Sequence, residues 1–306
     1  MAARLMQTRD KETVVFEYGD MGNDFYIHQV MRTTAFKPIN HYHNSYEIYY
    51  MLSGRRYYFI KDDAYQVAAG DLIFINKNDV HQTSVLGQPQ HERIVMNFTD
   101  DFLGSGHPLF LPELLQVFQR KNVLYRLKPH EQRYVEELFA RLAEEIKQKE
   151  EGFELAVRLF VTQLLLFAYR KGDVETPLTD DPLSPTHRRI AEVVQYIGAH
   201  YQEKLPLPEL AAQFHMSPSY LSRTFKKVTG FTLVGFQNLN RIREAQALLQ
   251  QTDAKVADIA VQVGFEQFAH FNRTFRKIAG VSPTRYRRWH RDGENKDKRL
   301  TPSITD

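Results

Sequence analysis

The chain has 306 residues, a length that implies two domains, and its 42% hydrophobic and 25% charged content is that of an ordinary globular protein. It contains no cysteine, which excludes disulfides, thiolate zinc sites and a cysteine nucleophile or alkyl acceptor. The net charge of +3 hides an asymmetry: from His187 onward 19 Lys and Arg outweigh 11 Asp and Glu, whereas residues 1–186 hold 21 basic against 26 acidic side chains. A polyanionic partner therefore suits the C-terminal part alone.

The opening MAARLMQTRDKE lacks the apolar core of a signal peptide. The longest apolar run, near Leu164–Tyr169, is far too short to span a bilayer, so no membrane partner is expected.

Residues 1–104 read as strands: VVFEYG, FYIHQVM, YEIYYMLSG, RRYYFIKD, AYQVAAG, DLIFIN and ERIVMNF are short and rich in β-branched and aromatic residues. Seven such runs, punctuated by Gly, Asp and Asn, predict a sandwich or barrel. Within them lie His41, His43 and Glu47 at even spacing, then Gly54, then Gly70-Asp71 and His81. On one continuous strand the first three would share a face.

This pattern resembles the two cupin motifs, whose metal-binding members use three His and one Glu. Two readings stay open. His41, His43, Glu47, Tyr49 and His81 line an effector pocket that hydrogen-bonds a small molecule such as a sugar, or the His/Glu set holds a metal. A satisfied polar cluster with no ligand is the structural alternative. Tyr57, Tyr58 and Tyr65 can stack on a sugar ring, although strand aromatics more often pack in a sheet.

The period changes over residues 105–171. Pro108–Lys121 reads as a short helix with Leu111, Leu114, Leu115 and Phe118 apolar. Pro129–Lys149 reads as a long amphipathic helix with Val135, Leu138, Phe139, Leu142 and Ile146 on one stripe. Phe153–Arg170 is apolar nearly all round, which predicts burial on every side. Residues 172–186, GDVETPLTDDPLSPT, read as a linker.

Residues 187–291 open with a helix carrying Ile190, Val193, Val194 and Ile197, and then say the same thing twice. Ala211 and Gln213 match Ala260 and Gln262 at an offset of 49. Leu221, Arg223, Thr224, Phe225, Lys227 and Gly230 match Phe271, Arg273, Thr274, Phe275, Lys277 and Gly280 at an offset of 50, so one residue is inserted near the turn. Each copy has the grammar of a helix-turn-helix. The turn holds Gly264 in the second copy and His215 in the first, both residue types that tolerate a left-handed backbone. Ser217 reads as an N-cap with Pro218 at the first helical position.

The second helix of each copy buries one stripe: Leu221, Phe225 and Val228, then Phe271, Phe275 and Ile278. It leaves another stripe open, a candidate surface for DNA. In the first copy the candidate contacts are Ser217, Ser219, Tyr220, Ser222, Arg223 and Lys226; in the second, Ala269, His270, Asn272, Arg273 and Arg276. Small polar residues and arginines suit base edges and phosphates in a major groove. A solvated helix face is the alternative, and arginines in register in both copies weigh against it. Phe236–Gln251 joins the copies as a helix, about 24 Å long at ~1.5 Å per residue, which with its turns can set the two heads one DNA turn apart, ~34 Å. Residues 292–306 read as a polar, disordered tail.

RIREAQALLQQT, VADIAVQVGF and FNRTFRKIAGVSPTRYRR together resemble the AraC/XylS family of bacterial transcription regulators, over roughly Arg188–His290. GFEQFAHF departs from the family pattern, because small polar residues usually precede the aromatic pair. The second head is thus poor in hydrogen-bonding groups, and its expected contribution is mostly phosphate contacts.

The resemblance implies an α+β multidomain chain: an N-terminal cupin-like β-barrel with appended helices, and a C-terminal all-α domain of two helix-turn-helix motifs joined by a linker helix. It implies a homodimer through the 105–171 helices. It also implies double-stranded DNA, a small-molecule effector and RNA polymerase as partners, a cytoplasmic location and no catalytic residues or cofactor. The rival reading is a metal-dependent cupin enzyme or metal sensor fused to a DNA-binding module.

Overall fold

A computed structural model describes residues 4–9, 12–20, 23–34, 43, 45–61, 63–77, 79, 81–104, 111–172 and 185–291. His41, most of the predicted linker and the predicted tail lie outside the described residues. Contacts group the chain into two units, the first drawn from residues up to Pro182 and the second chiefly from Leu183 onward, with Lys61–Ala64 also grouped in it.

The first unit carries β1 (Arg4–Arg9), β2 (Glu12–Gly19), β3 (Phe25–Arg32), β4 (Tyr46–Ile60), β5 (Asp63–Ala68), β6 (Asp71–Ile75), β7 (His81–Val85) and β8 (His91–Phe98). Then come α1 (Asp100–Leu103), a 3-10 helix (Pro112–Gln119), β9 (Leu124–Arg126), α2 (Pro129–Gln148) and α3 (Phe153–Lys171). The strand order is β1-β2-β3-β8-β4-β6-β9, with β5 and β7 also paired to β4. The pairs along this path, and β4 with β7, are antiparallel.

Two strands expected from YEIYYMLSG and RRYYFIKD are one, β4. The chain does not turn at Gly54 but bends there. The register against β8 slips between Met51 and Ser53, and Gly54 takes φ +88°. A Cβ at Gly54 would meet the Gln90 carbonyl oxygen at 2.5 Å, so the backbones approach more closely than any side chain allows. Strands β1, β7 and β9 had no clear alternation in sequence; each is recruited by pairing with a neighbour.

Alternation on β4 separates two cores. Ile48 and Tyr50 face a cluster with Leu72, Phe74, Met96 and the apolar sides of α2 and α3. Tyr49 and Met51 face the opposite cluster with Tyr58, Ile60, Val67, Ile73 and Val95. The predicted α2 stripe is buried as expected: Val135, Leu138, Phe139, Leu142 and Ile146.

Two helix expectations need correction. The segment around Leu114 is a 3-10 helix, and Leu111, ahead of it, is exposed. Helix α3 is not buried on every side, because Leu155 and Leu159 stand out from it while Val157, Val161, Leu164 and Leu165 are buried.

The second unit is all helical: α4 (Pro185–Ala199), α5 (Leu207–Gln213), α6 (Pro218–Thr229), α7 (Leu233–Gln251), α8 (Val256–Gln262), α9 (Phe268–Ala279) and α10 (Pro283–Arg291). Helix α4 begins inside the predicted linker and buries Ile190, Val193, Val194 and Ile197. Helix α7 starts earlier than expected, at an N-cap Thr232 whose side chain accepts from the Gly235 amide, and its 19 residues span about 28 Å.

Candidate DNA-binding face and effector cluster

The two helix-turn-helix copies are built alike. The Met216 amide donates to the Ala211 carbonyl at 2.8 Å, and the Phe265 amide to the Ala260 carbonyl at 2.9 Å. His215 and Gly264 both hold left-handed backbones, as their sequence positions predicted. The N-caps are Ser217 and Gln267, so the inserted residue is Glu266, which pairs with Lys204 at 2.7 Å.

Ser217 caps α6 by accepting from the Tyr220 amide; Gln267 makes no such side-chain bond. Helix α6 buries Leu221, Phe225 and Val228, and α9 buries Phe271 and Phe275 with Ile278 partly covered. Phe225 and Phe271 are fully enclosed, so burial holds each helix by its inner stripe and leaves the other side to water.

The candidate contacts lie on that open side. Ser217, Ser219, Tyr220, Ser222, Arg223 and Lys226 are exposed, and so are Ala269, His270, Arg273 and Arg276, with Asn272 half-buried. Arg223 rests its Nε on the Ser219 carbonyl at 3.2 Å, which orients the guanidinium along the helix. Lys227 and Lys277 are also exposed and were not among the expected contacts.

In the first unit, His43, Glu47 and His81 converge, although not as the even spacing suggested. Strand β4 starts only at Tyr46, so His43 reaches Glu47 from the segment before it. Its Nε2 is 3.0 Å from Glu47 Oε2, and His81 Nε2 is 3.5 Å from the same oxygen. Asn97, directly across from Glu47 in the β4–β8 register, donates to Oε2 at 3.2 Å.

The Tyr58 hydroxyl donates to Glu47 Oε1 at 2.8 Å. Tyr58 is 11 residues further along the same strand. A straight strand would hold the two about 36 Å apart, at ~3.3 Å per residue. The bend at Gly54 is what closes the cluster. Tyr58 was expected only as a stacking surface, and Asn97 was missed; a strand-depleted Asn in ERIVMNF was the available signal.

Tyr49 points into the same interior, but its hydroxyl donates to Met51 Sδ at 3.9 Å and its ring packs with the apolar cluster. It does not touch Glu47 among the described contacts.

All three members of the cluster are buried. Burial by itself would raise the Glu47 carboxyl; the His81 charge and the hydrogen bonds of both histidines outweigh it and hold the carboxyl well below its usual range. Burial would lower His81, and the Glu47 charge and hydrogen bond reverse this, leaving it raised. Tyr58 is pushed well up by burial and then by Glu47.

The outer ring nitrogens are held by backbone. His43 Nδ1 lies 2.9 Å from the Ser45 carbonyl oxygen and His81 Nδ1 lies 2.8 Å from that of Asp79. A carbonyl only accepts, so His81 Nδ1 is the donor to Asp79, whereas His43 Nδ1 also lies 2.9 Å from the Ser45 hydroxyl, which can donate or accept. Both Nε2 atoms face the Glu47 carboxylate, and His43 Nε2 also lies 3.1 Å from the Asn97 amide nitrogen, which can donate to it. The three ligand atoms lie within 4.8 Å of one another, a span that fits one metal ion.

Two family models match the chain: an AraC-like ligand binding domain over residues 24–165 and a helix-turn-helix domain over residues 210–288. An uncharacterized HTH-type transcriptional regulator of Staphylococcus aureus (strain COL) is 26% identical over 255 residues, 80% of this chain and 31% of that protein. The HTH-type regulator YisR of Bacillus subtilis (strain 168) is 36% identical over 97 residues, 32% of this chain and 34% of YisR. The chain thus spans about a third of the length of these curated relatives.

Among solved structures, apo ToxT from Vibrio cholerae strain SCE256 aligns over 87% of this chain and 97% of its own, at 15% identity and a TM-score of 0.37. The C-terminal domain of AraT, a response regulator from Geobacillus stearothermophilus, aligns over 41% of this chain and 95% of its own, at 31% identity and a TM-score of 0.33. With a ligand-binding domain of the AraC type preceding a matched helix-turn-helix domain, the chain belongs to the AraC family of HTH-type transcriptional regulators.

Proposed function

We propose that the chain is a cytoplasmic, non-enzymatic, one-component regulator that binds double-stranded DNA through both helix-turn-helix heads, senses a small molecule in its barrel and activates nearby genes with RNA polymerase. The observation that carries the reading is the duplicated face: Arg223 and Arg273 stand exposed at matching positions of two helices whose opposite stripes are buried. Arg223 and Arg273 are the base-reading candidates, helped by Ser219, Ser222 and Asn272. Lys226 and Arg276, one turn further on, are the phosphate contacts.

The test is selection of bound DNA by the full-length protein at ~150 mM salt, where sequence-blind phosphate binding is weakened. The expected motif is two half-sites about ten base pairs apart. Salt-sensitive binding with no motif, with or without effectors present, would sink the proposal.

The effector cluster supports a ligand rich in oxygens. A sugar is the first class to test, because hydroxyls can accept from Tyr58 and Asn97, exchange hydrogen bonds with the histidine rings and donate to Glu47. Its binding must favour one arrangement of the protein over another to regulate anything. A metal sensor is the second reading, favoured by His43, Glu47 and His81, which each present one ligand atom within 4.8 Å of the others. There His43, Glu47 and His81 would hold a divalent transition ion, which would supply open coordination positions for an oxygen ligand. Elemental analysis of gently purified protein decides between them: near-stoichiometric metal that is lost in Glu47→Gln supports the sensor, and less than about a tenth of an equivalent removes it.

A further inference from the structure

The two heads differ in chemistry at the point where a recognition helix meets the bases. Helix α6 begins with Pro218, Ser219 and Tyr220; α9 begins with Phe268, Ala269 and His270. Phe268 is 47% exposed, an unusual position for a large apolar ring. It is also held in place. Its ring stacks on Phe271 with centroids 6.1 Å apart and planes at 22°, and Phe271 packs in turn on Phe265 at 5.3 Å and Phe275 at 5.6 Å. Phe268 is the outer end of an aromatic column rooted in the core. Beside it Asn272, Arg273, Arg276 and Lys277 line a basic recess of about 410 Å³. Positive charge directs the surface toward a polyanion, while the leading turn offers a ring and a methyl group.

The first residues of a recognition helix are the ones that contact base edges. In the major groove the apolar feature of a base edge is the C5-methyl of thymine, and Ala and Phe are among the side chains that contact it. We propose that the second head reads thymine by apolar contact, with Phe268 and Ala269 packed on thymine methyl groups beside the base-reading Arg273, and with Arg276 holding a phosphate. This rests on the DNA-binding reading above and deepens it. The second half-site is then specified rather than merely clamped, which revises the expectation that this head makes mostly phosphate contacts.

The experiment uses the full-length protein and the tightest duplex recovered from a random-sequence library at ~150 mM salt. Selection repeated with Phe268→Ala identifies the half-site whose preference depends on Phe268. Each thymine of both half-sites is then replaced by deoxyuridine, which deletes the methyl and leaves pairing and phosphates intact. The expected result is about a fourfold loss of affinity at one or two positions of that half-site, the scale of one buried methyl group. The loss should vanish in Phe268→Ala and persist in part in Phe268→Leu, with both variants melting like the parent. The proposal is overturned if uracil costs nothing there, if the penalty is unchanged in Phe268→Ala, if the two selections give the same motif, or if the half-site contains no thymine. Those outcomes leave a sequence-specific regulator standing; absence of any motif removes that reading and this one together.

Discussion

His215 and Gly264 stand at the same corner of the two helix-turn-helix copies, with φ of +53° and +91°. The corner is left-handed in both, but only one copy uses the residue that adopts it without strain. Gly264 has a second constraint. A Cβ there would meet the Gln202 carbonyl oxygen at 2.4 Å. His215→Gly should therefore be neutral or stabilising by up to about 1 kcal/mol, while Gly264→Ala should destabilise by more than about 2 kcal/mol, since strain and clash add. Urea denaturation of the two variants checks this; equal effects would mean the corners are not equivalent.

Tyr58 gives the buried Glu47 carboxylate one of its hydrogen bonds, at 2.8 Å. Tyr58→Phe keeps the ring and deletes the donor. Loss of a hydrogen bond to a charged group predicts a cost of about 1.5–3 kcal/mol in unfolding free energy. A smaller cost would show that water or a ligand replaces the hydroxyl.

His91 is buried beside the Arg56 guanidinium, whose Nη2 contacts its Nδ1. Burial, then the Arg56 charge, push its imidazole down to about 3. The folded value lies below the unfolded one of about 6.5, so as pH falls below 6.5 the unfolded chain takes up a proton that the folded chain refuses. Stability should decline through the window from about 6.5 toward 3, by at most ~1.4 kcal/mol per pH unit from this group. His81 moves oppositely: its raised value adds stability that is complete below the unfolded value and is lost as pH rises through the folded one. Comparing the parent with His91→Gln by denaturation at pH 7, 6 and 5 isolates the first effect, which should flatten in the variant.

Leu155 and Leu159, 48% and 43% exposed, lie one turn apart on α3. If the homodimer forms through this stripe, Leu159→Glu should shift the protein from dimer to monomer in sedimentation while leaving its circular dichroism intact. A dimer that survives the change would place the interface elsewhere.

Arg223→Ala should weaken binding to a selected operator by ~1–3 kcal/mol and relax preference at one base step. Lys226→Ala should weaken binding to all sequences alike and reduce the salt dependence by about one phosphate contact. Competition assays against a scrambled duplex separate the two behaviours.

Much of the second unit was legible in the sequence because its information is local. Helical periodicity, the N-cap at Ser217 and a left-handed corner at His215 or Gly264 each depend on a few neighbouring residues, and duplication states them twice. The open face followed, because the stripe that is not buried must meet solvent or a partner. The position of Glu266 as the inserted residue needed the backbone hydrogen bonds, since matching alone places the insertion only near the turn.

The barrel was legible in kind, through short alternating strands, and not in detail. Its site joins His43, Glu47, Tyr58, His81 and Asn97, which are spread over more than fifty residues. Spacing and the resemblance to the cupin motifs named the two histidines and Glu47. Only the bend of β4 at Gly54 and the pairing of β4 with β8 brought Tyr58 and Asn97 to the same carboxylate. Helix capping and periodicity act within one turn and can be read along the chain; strand pairing and bulges act between distant segments, and the contacts they create exist only once the sheet has closed.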